Sequence, residues 1–99
     1  MTIKLNNLNY NLPDLMRRLG YKPLGYTERQ ELNCVRPLGG NYPRFHIYAT
    51  IDPKVVTMNI HLDQKKPSYE GTSAHSGDYD GEIVKDEVLR IKEALSRLQ

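Results

Sequence analysis

The sequence predicts an α+β fold of two layers, with two helices packed on one face of a three-stranded antiparallel sheet, in the order α-β-β-β-α. Two apolar stripes with helical spacing flank a central region in which apolar and polar residues alternate. The chain has 99 residues, of which 38% are hydrophobic, so one small core can form. We therefore expect residues 1–99 to be a single domain.

Each predicted helix has an apolar stripe and a recognisable start. Asn11 is a good N-cap for the first helix, Pro13 suits its first turn, and Gly20 is typical of its end. The stripe of this helix is Leu12, Leu15, Met16 and Leu19. The last helix is expected to begin after Asp80 or Gly81. Its stripe is Val84, Val88, Ile91, Leu95 and Leu98, widened by Ile83 and Ala94.

The middle of the chain predicts three strands at residues 32–38, 44–51 and 55–63. The last two form a hairpin, and placing Ile51 opposite Val56 gives one apolar and one polar face. The other apolar pairs are Ala49 with Met58, Ile47 with Ile60, and Phe45 with Leu62; the polar pairs are Thr50 with Thr57, Tyr48 with Asn59, His46 with His61, and Arg44 with Asp63. A slip of one residue would mix the two faces, so the pattern selects this register.

The remaining segments carry weaker signals. Residues 1–10 predict at most a short extended segment, and the polar stretch 21–31 is predicted to be a connection. Residues 64–80 form a predicted loop of 17 residues, a length that is usually functional or disordered. Because the loop contains two tyrosines, we expect Tyr69 or Tyr79 to be at least half buried against the domain.

Composition excludes several classes of protein. The single cysteine, Cys34, rules out an internal disulfide and a four-cysteine zinc site, and is predicted to be a core residue. No apolar run approaches a membrane span and no signal peptide is visible, so we expect a cytoplasmic protein without membrane contact. No cofactor motif is present, so no cofactor is expected.

The charges are unevenly distributed. The net charge is +2, but residues 1–66 hold ten Lys and Arg against five Asp and Glu. Residues 67–99 hold four against seven. The basic excess of the first two-thirds favours an anionic partner, although a solvated surface explains the same pattern.

The predicted helix, three strands and helix resemble the topology of the double-stranded RNA-binding domain. That family has a Lys-Lys pair at the start of its last helix, where it contacts phosphates. Here residues 77–82 carry Asp78, Asp80 and Glu82 instead, and Lys65 and Lys66 come about 16 residues too early. The resemblance is one of topology, and membership of the family is not assigned.

The first functional interpretation is a small binding module whose ligand lies on the polar sheet face beneath the 64–80 loop. Basic and aromatic side chains on such a face suit an anionic ligand or a nucleic acid. The candidate ligand-binding residues are Arg44, His46, Tyr48, Asn59, His61, Lys65, Lys66, Tyr69 and His75. This interpretation includes no metal, because Arg44 opposite Asp63 would repel a cation, and it expects both strand histidines to titrate near neutral pH.

Two alternatives remain open. Two imidazoles and one carboxylate are the ligands of open zinc or iron sites, so His46, His61 and Asp63 predict a metal-dependent hydrolase. His75 would complete that site or act as a general acid or base. The third interpretation is a structural protein that forms a homodimer through a β-edge or the C-terminal helix.

Overall fold

A computed structural model describes residues 1–6, 9–65, 77–78 and 80–98. Its elements are β1 (Thr2–Asn6), α1 (Leu12–Arg18), β2 (Lys22–Tyr26), β3 (Leu32–Pro37), β4 (Arg44–Asp52), β5 (Val55–Asp63), β6 (Gly77–Asp78) and α2 (Glu82–Leu98). Five strands lie side by side in the order β1-β5-β4-β3-β2, and the short β6 pairs with the end of β5.

The predicted class is confirmed: the fold is α+β with an antiparallel sheet and two helices. The predicted three strands and the α-β-β-β-α order are wrong, because a strand precedes α1 and a further strand follows it. The topological resemblance to the double-stranded RNA-binding domain rested on that order and is lost with it. The predictions for Lys66, Tyr69, His75 and Tyr79 lie outside the described residues.

Helix α1 begins and ends where its sequence predicts. Asn11 is the N-cap, and its side-chain oxygen accepts a hydrogen bond of 2.9 Å from the backbone N–H of Asp14. Gly20 follows the helix with φ of +91°, a conformation that side chains with a Cβ rarely adopt. This turn lets the backbone N–H of Tyr21 donate to the carbonyl of Met16 at 2.9 Å, which closes the helix.

The β4–β5 hairpin has the predicted register at every pair, including Ile47 with Ile60 and His46 with His61. Pairing extends one step beyond the predicted pairs, to Asp52 opposite Val55. The alternation therefore divides this hairpin into one buried apolar face and one polar face.

The two outer strands were missed or only weakly indicated. β1 pairs with β5 and buries Ile3, which extends the apolar face. The segment predicted as a connection contains β2, which pairs with β3 across a turn held by Thr27. Four of the five β2 residues are exposed, so no apolar alternation marks this strand in the sequence.

The hydrophobic core lies between the apolar sheet face and the two helices. Leu15, Met16 and Ile91 are fully buried in it, and Cys34 is buried as predicted. Burial raises the pKa of the Cys34 thiol to about 12. Ile83, predicted to widen the α2 stripe, is 54% exposed instead, because it lies at the margin of the buried face. Neither described helix combines the length and the apolarity that crossing a bilayer requires.

A hydrogen-bond network around the buried Glu87 links α2 to the rest of the core. Glu87 is 4% exposed and accepts a hydrogen bond of 2.6 Å from the hydroxyl of Tyr21. Arg90 donates to the same carboxylate from Nε at 2.7 Å, and Arg36 of β3 donates at 3.3 Å. Arg90 also donates to the carbonyl of Leu19 at 2.7 Å. The network therefore joins α2, the end of α1 and the sheet.

Candidate functional site

The polar face of the β4–β5 hairpin brings two imidazoles together. His46 and His61 are directly opposite across the strands, with ring centroids 4.8 Å apart. Asp63 lies two residues beyond His61 and therefore on the same face. The helices pack on the other face, so this predicted placement is confirmed.

The carboxylate of Asp63 lies between the two histidines. Its Oδ2 is 2.9 Å from His46 Nδ1, and its Oδ1 is 2.7 Å from His61 Nε2. Arg44 Nε donates to Oδ2 at 3.3 Å, which is the contact that the register predicts. One donor atom each from His46, His61 and Asp63 lies within 4.8 Å of the others. We call these three residues the His-His-Asp cluster.

Asn33 of β3 contacts the far side of His46. Its amide oxygen Oδ1 faces His46 Nε2 within hydrogen-bonding distance, so Nε2 carries a hydrogen that Asn33 accepts. A neutral imidazole carries only one N–H, which leaves His46 Nδ1 as a lone pair facing a carboxylate oxygen. At 2.9 Å, Nδ1 and the carboxylate oxygen are at hydrogen-bond distance, which a proton on Nδ1 would satisfy. A metal ion bound by both atoms would lie to one side of the line that joins them, at about 2.0–2.2 Å from each.

Burial shapes the protonation of the His-His-Asp cluster. It lowers the pKa of His46 below its usual range, against the opposing effect of Asp63. Burial acts to raise the pKa of Asp63, but hydrogen bonding and charge from His46, together with His61 and Arg44, hold it below its usual range. For His46 the direction of this pKa shift runs against the expectation of titration near neutral pH. A neutral imidazole beside an ionised carboxylate is the state in which both bind metals.

Two tyrosine rings pack near the cluster, one on His46 and one on Arg44. Tyr48 stacks on His46 with centroids 4.6 Å apart and planes inclined by 30°. The guanidinium carbon of Arg44 lies 4.7 Å from the ring centroid of Tyr42. These contacts hold the imidazole and the guanidinium in place.

A shallow groove of about 320 Å³ adjoins His61. Its lining residues are Met1, Thr2, Tyr48, Asn59, Ile60 and His61. The hydroxyl of Thr2 donates to the amide oxygen of Asn59 at 2.8 Å and so orients that amide. The groove borders the cluster on the side of β1.

The structure brings some of the predicted site residues together on one face. Arg44, His46, Tyr48, Asn59 and His61 share the polar face. Lys65 is exposed beyond the end of β5. Lys66, Tyr69 and His75 lie outside the described part of the chain, so their predicted roles remain predictions.

Sequence reasoning missed Asn33. Its strand was predicted, but the register of that strand with β4 was not, and this register places Asn33 opposite Tyr48 and diagonally beside His46. The alternation of apolar and polar residues in β3 could have predicted this position. If Leu32 is aligned with Ala49 on the apolar face, Asn33 lies on the polar face.

Comparisons with known proteins find no counterpart. No protein-family model matches the chain, and searches of curated proteins and of solved structures return no significant match. Function must therefore be inferred from the side chains of this chain.

Proposed function

We propose that this protein is a metal-binding module, which holds a divalent transition-metal ion of the zinc class on the polar sheet face. The ligands are His46 Nδ1, His61 Nε2 and the carboxylate of Asp63. One observation supports the proposal above all: three donor atoms of the types that zinc prefers lie within 4.8 Å of one another on two paired strands.

The contact of Asn33 with His46 also supports a metal. Metal-binding histidines usually donate their other N–H to a carbonyl or carboxylate oxygen, which fixes the tautomer. Asn33 Oδ1 supplies such an acceptor at Nε2 and so directs the Nδ1 lone pair toward Asp63. A metal ion would accept that lone pair together with an oxygen of Asp63.

An anionic ligand on the same residues is the weaker interpretation. Asp63 already neutralises Arg44, and burial disfavours the charged form of His46. An anion would have to displace or repel the central carboxylate. Arg44 does oppose a cation, but it contacts Oδ2 through Nε at 3.3 Å and stays on the Tyr42 side. Its effect is to reduce metal affinity rather than to remove a ligand.

The test is a zinc titration of the purified full chain by calorimetry and by competition with a chromogenic chelator. We expect one zinc ion per chain. His46→Ala, His61→Ala and Asp63→Asn should each weaken binding by more than about 100-fold, since losing a ligand costs more than the 10- to 100-fold cost of losing an outer partner. Asp52→Asn at the exposed hairpin end is the matched control and should bind as the parent does.

Two results would contradict the proposal. One is a parent protein that takes up no zinc at micromolar concentration. The other is a set of cluster variants that remain folded by circular dichroism and bind zinc like the control. Arg44→Gln adds a sign test, because removing the guanidinium should tighten zinc binding but weaken the binding of an anion to the metal-free protein.

The other interpretations stay predictions from the sequence. Hydrolysis at the metal would require a water-derived nucleophile at an open coordination position. A homodimer would have to use surfaces such as β2, where Leu24 and Tyr26 are exposed, or α2, where Leu89 is exposed.

A further inference from the structure

Arg44 is a cation beside a proposed cation site, and its remaining donors point to a second ligand. Its Nε is engaged by Asp63 and its guanidinium carbon lies over Tyr42. The structure gives its two Nη groups no hydrogen-bond partner among the described residues. Four N–H bonds in a planar fork, on a side chain that is 24% exposed, are therefore available next to the His-His-Asp cluster.

The coordination number points the same way. Three protein ligands are the number found in open zinc sites, which complete their shell with water or a substrate atom. Metal-bound oxyanions commonly have a second oxygen to share with a nearby donor. A guanidinium is the side chain best suited to take it, because its paired N–H bonds match two oxygens.

The charge balance identifies the ligand class. A divalent ion contributes two positive charges, Asp63 removes one and Arg44 restores one, while His46 is neutral when it binds a metal. With His61 also neutral as a metal ligand, the loaded site carries a charge of about two, and the ion pair within it is only 24% and 19% exposed. A phosphate group carries about −1.5 to −2 at neutral pH, whereas a carboxylate carries −1.

We propose that the metal-loaded protein binds a dianionic phosphate group, with one oxygen on the metal and others on the Nη groups of Arg44. This inference rests on the proposed metal site. It also accounts for Arg44, which otherwise only lowers the metal affinity of the site beside it. Free phosphate and a phosphate monoester share this chemistry.

The experiment titrates methyl phosphate, inorganic phosphate and acetate into the full chain, with and without one equivalent of zinc. We expect both phosphates to bind the zinc-loaded protein at least about tenfold more tightly than acetate does, because only they match its charge. Whichever of methyl phosphate and inorganic phosphate binds more tightly shows whether the natural ligand is a phosphate monoester or free phosphate. Without zinc, phosphate binding should fall by about tenfold or more.

Arg44→Gln separates this inference from the metal site. The variant should keep or tighten zinc binding and lose about tenfold or more in phosphate affinity, the loss expected for charge-assisted hydrogen bonds. Arg44→Lys keeps the positive charge but lacks the paired N–H groups, so its phosphate affinity should lie between those of the parent protein and Arg44→Gln. Arg29→Gln, in the exposed β2–β3 turn, is the matched control.

The outcomes are distinguishable. A chain that binds no zinc overturns the proposed function and this inference with it. A chain that binds zinc but takes acetate as well as phosphate, or that loses nothing on Arg44→Gln, keeps its metal site and overturns the phosphate proposal alone.

Discussion

Removing one hydroxyl, in Tyr21→Phe, should destabilise the protein substantially. The hydroxyl donates at 2.6 Å to Glu87, which is 4% exposed, and Tyr21 itself is 2% exposed. Hydrogen bonds to charged groups contribute about 1.5–3 kcal/mol, and a buried acceptor that loses its donor cannot turn to water. Because the two arginines still contact the carboxylate, we expect a loss near the middle of that range, about 2 kcal/mol.

The same contact predicts a pH dependence. Burial, the hydrogen bond to Glu87 and the charge of Glu87 all raise the pKa of Tyr21 far above its usual range. The unfolded chain releases this proton near pH 10 and the folded chain retains it. The contribution of Tyr21 is therefore fully present below about pH 10, and above that pH it falls by about 1.4 kcal/mol per pH unit. Tyr21→Phe should lack this loss of stability above about pH 10.

Urea unfolding at pH 7 and between pH 9 and 11 tests both points. The control is Tyr26→Phe, which removes a hydroxyl from a side chain that is 58% exposed and should change stability by less than about 0.5 kcal/mol. Cys34, whose pKa is raised to about 12, adds its own loss of stability at alkaline pH, but equally in both variants. A Tyr21→Phe protein as stable as Tyr26→Phe at pH 7, or with the same alkaline slope, would refute the reasoning.

Two further predictions concern the core and the site. Ile60→Ala should lower the free energy of unfolding by about 2–5 kcal/mol, because this side chain is 2% exposed and lies opposite Ile47. Ile51→Ala, at the exposed hairpin end, should lower it by less than about 1 kcal/mol. Thermal melts compare the two variants, and equal losses of stability would contradict the register. Asn33→Leu should weaken zinc binding by about 10- to 100-fold, while Asn33→Asp, which keeps an oxygen acceptor, should retain it. Equal affinities for the two Asn33 variants would show that the acceptor does not position His46.

The sequence predicted the parts of the fold that strict alternation encodes. In the β4–β5 hairpin, polar and apolar residues alternate along paired nine-residue strands, so a single alignment satisfies both faces. That alignment also places His46 opposite His61 and Arg44 opposite Asp63. The central part of the candidate site could therefore be predicted because it lies on the best-encoded element.

The missed features depend on contacts between distant segments. β2 contains Pro23 and Gly25, lies at the sheet edge and buries almost nothing, so its pairing with β3 leaves no periodic signal. Glu87 is charged but buried, because its partner Tyr21 lies 66 residues away along the chain. Local patterns cannot show such pairings, and the same reason hid the contact between Asn33 and His46.

The short span of the candidate site along the chain has a consequence for the order of folding. Arg44 is 19 residues from Asp63 and His46 is 17, whereas the backbone of Met1 pairs with Ile60 across 59 residues. The entropy lost on closing a loop grows with its length, so the β4–β5 hairpin closes at a lower cost than the pairing of β1 with β5. We expect the ligand-bearing residues to meet while the N-terminal strand is still unattached. A chain in that state would already hold the two histidines and the aspartate together, and a metal ion at the proposed site would stabilise the hairpin before β1 pairs with it.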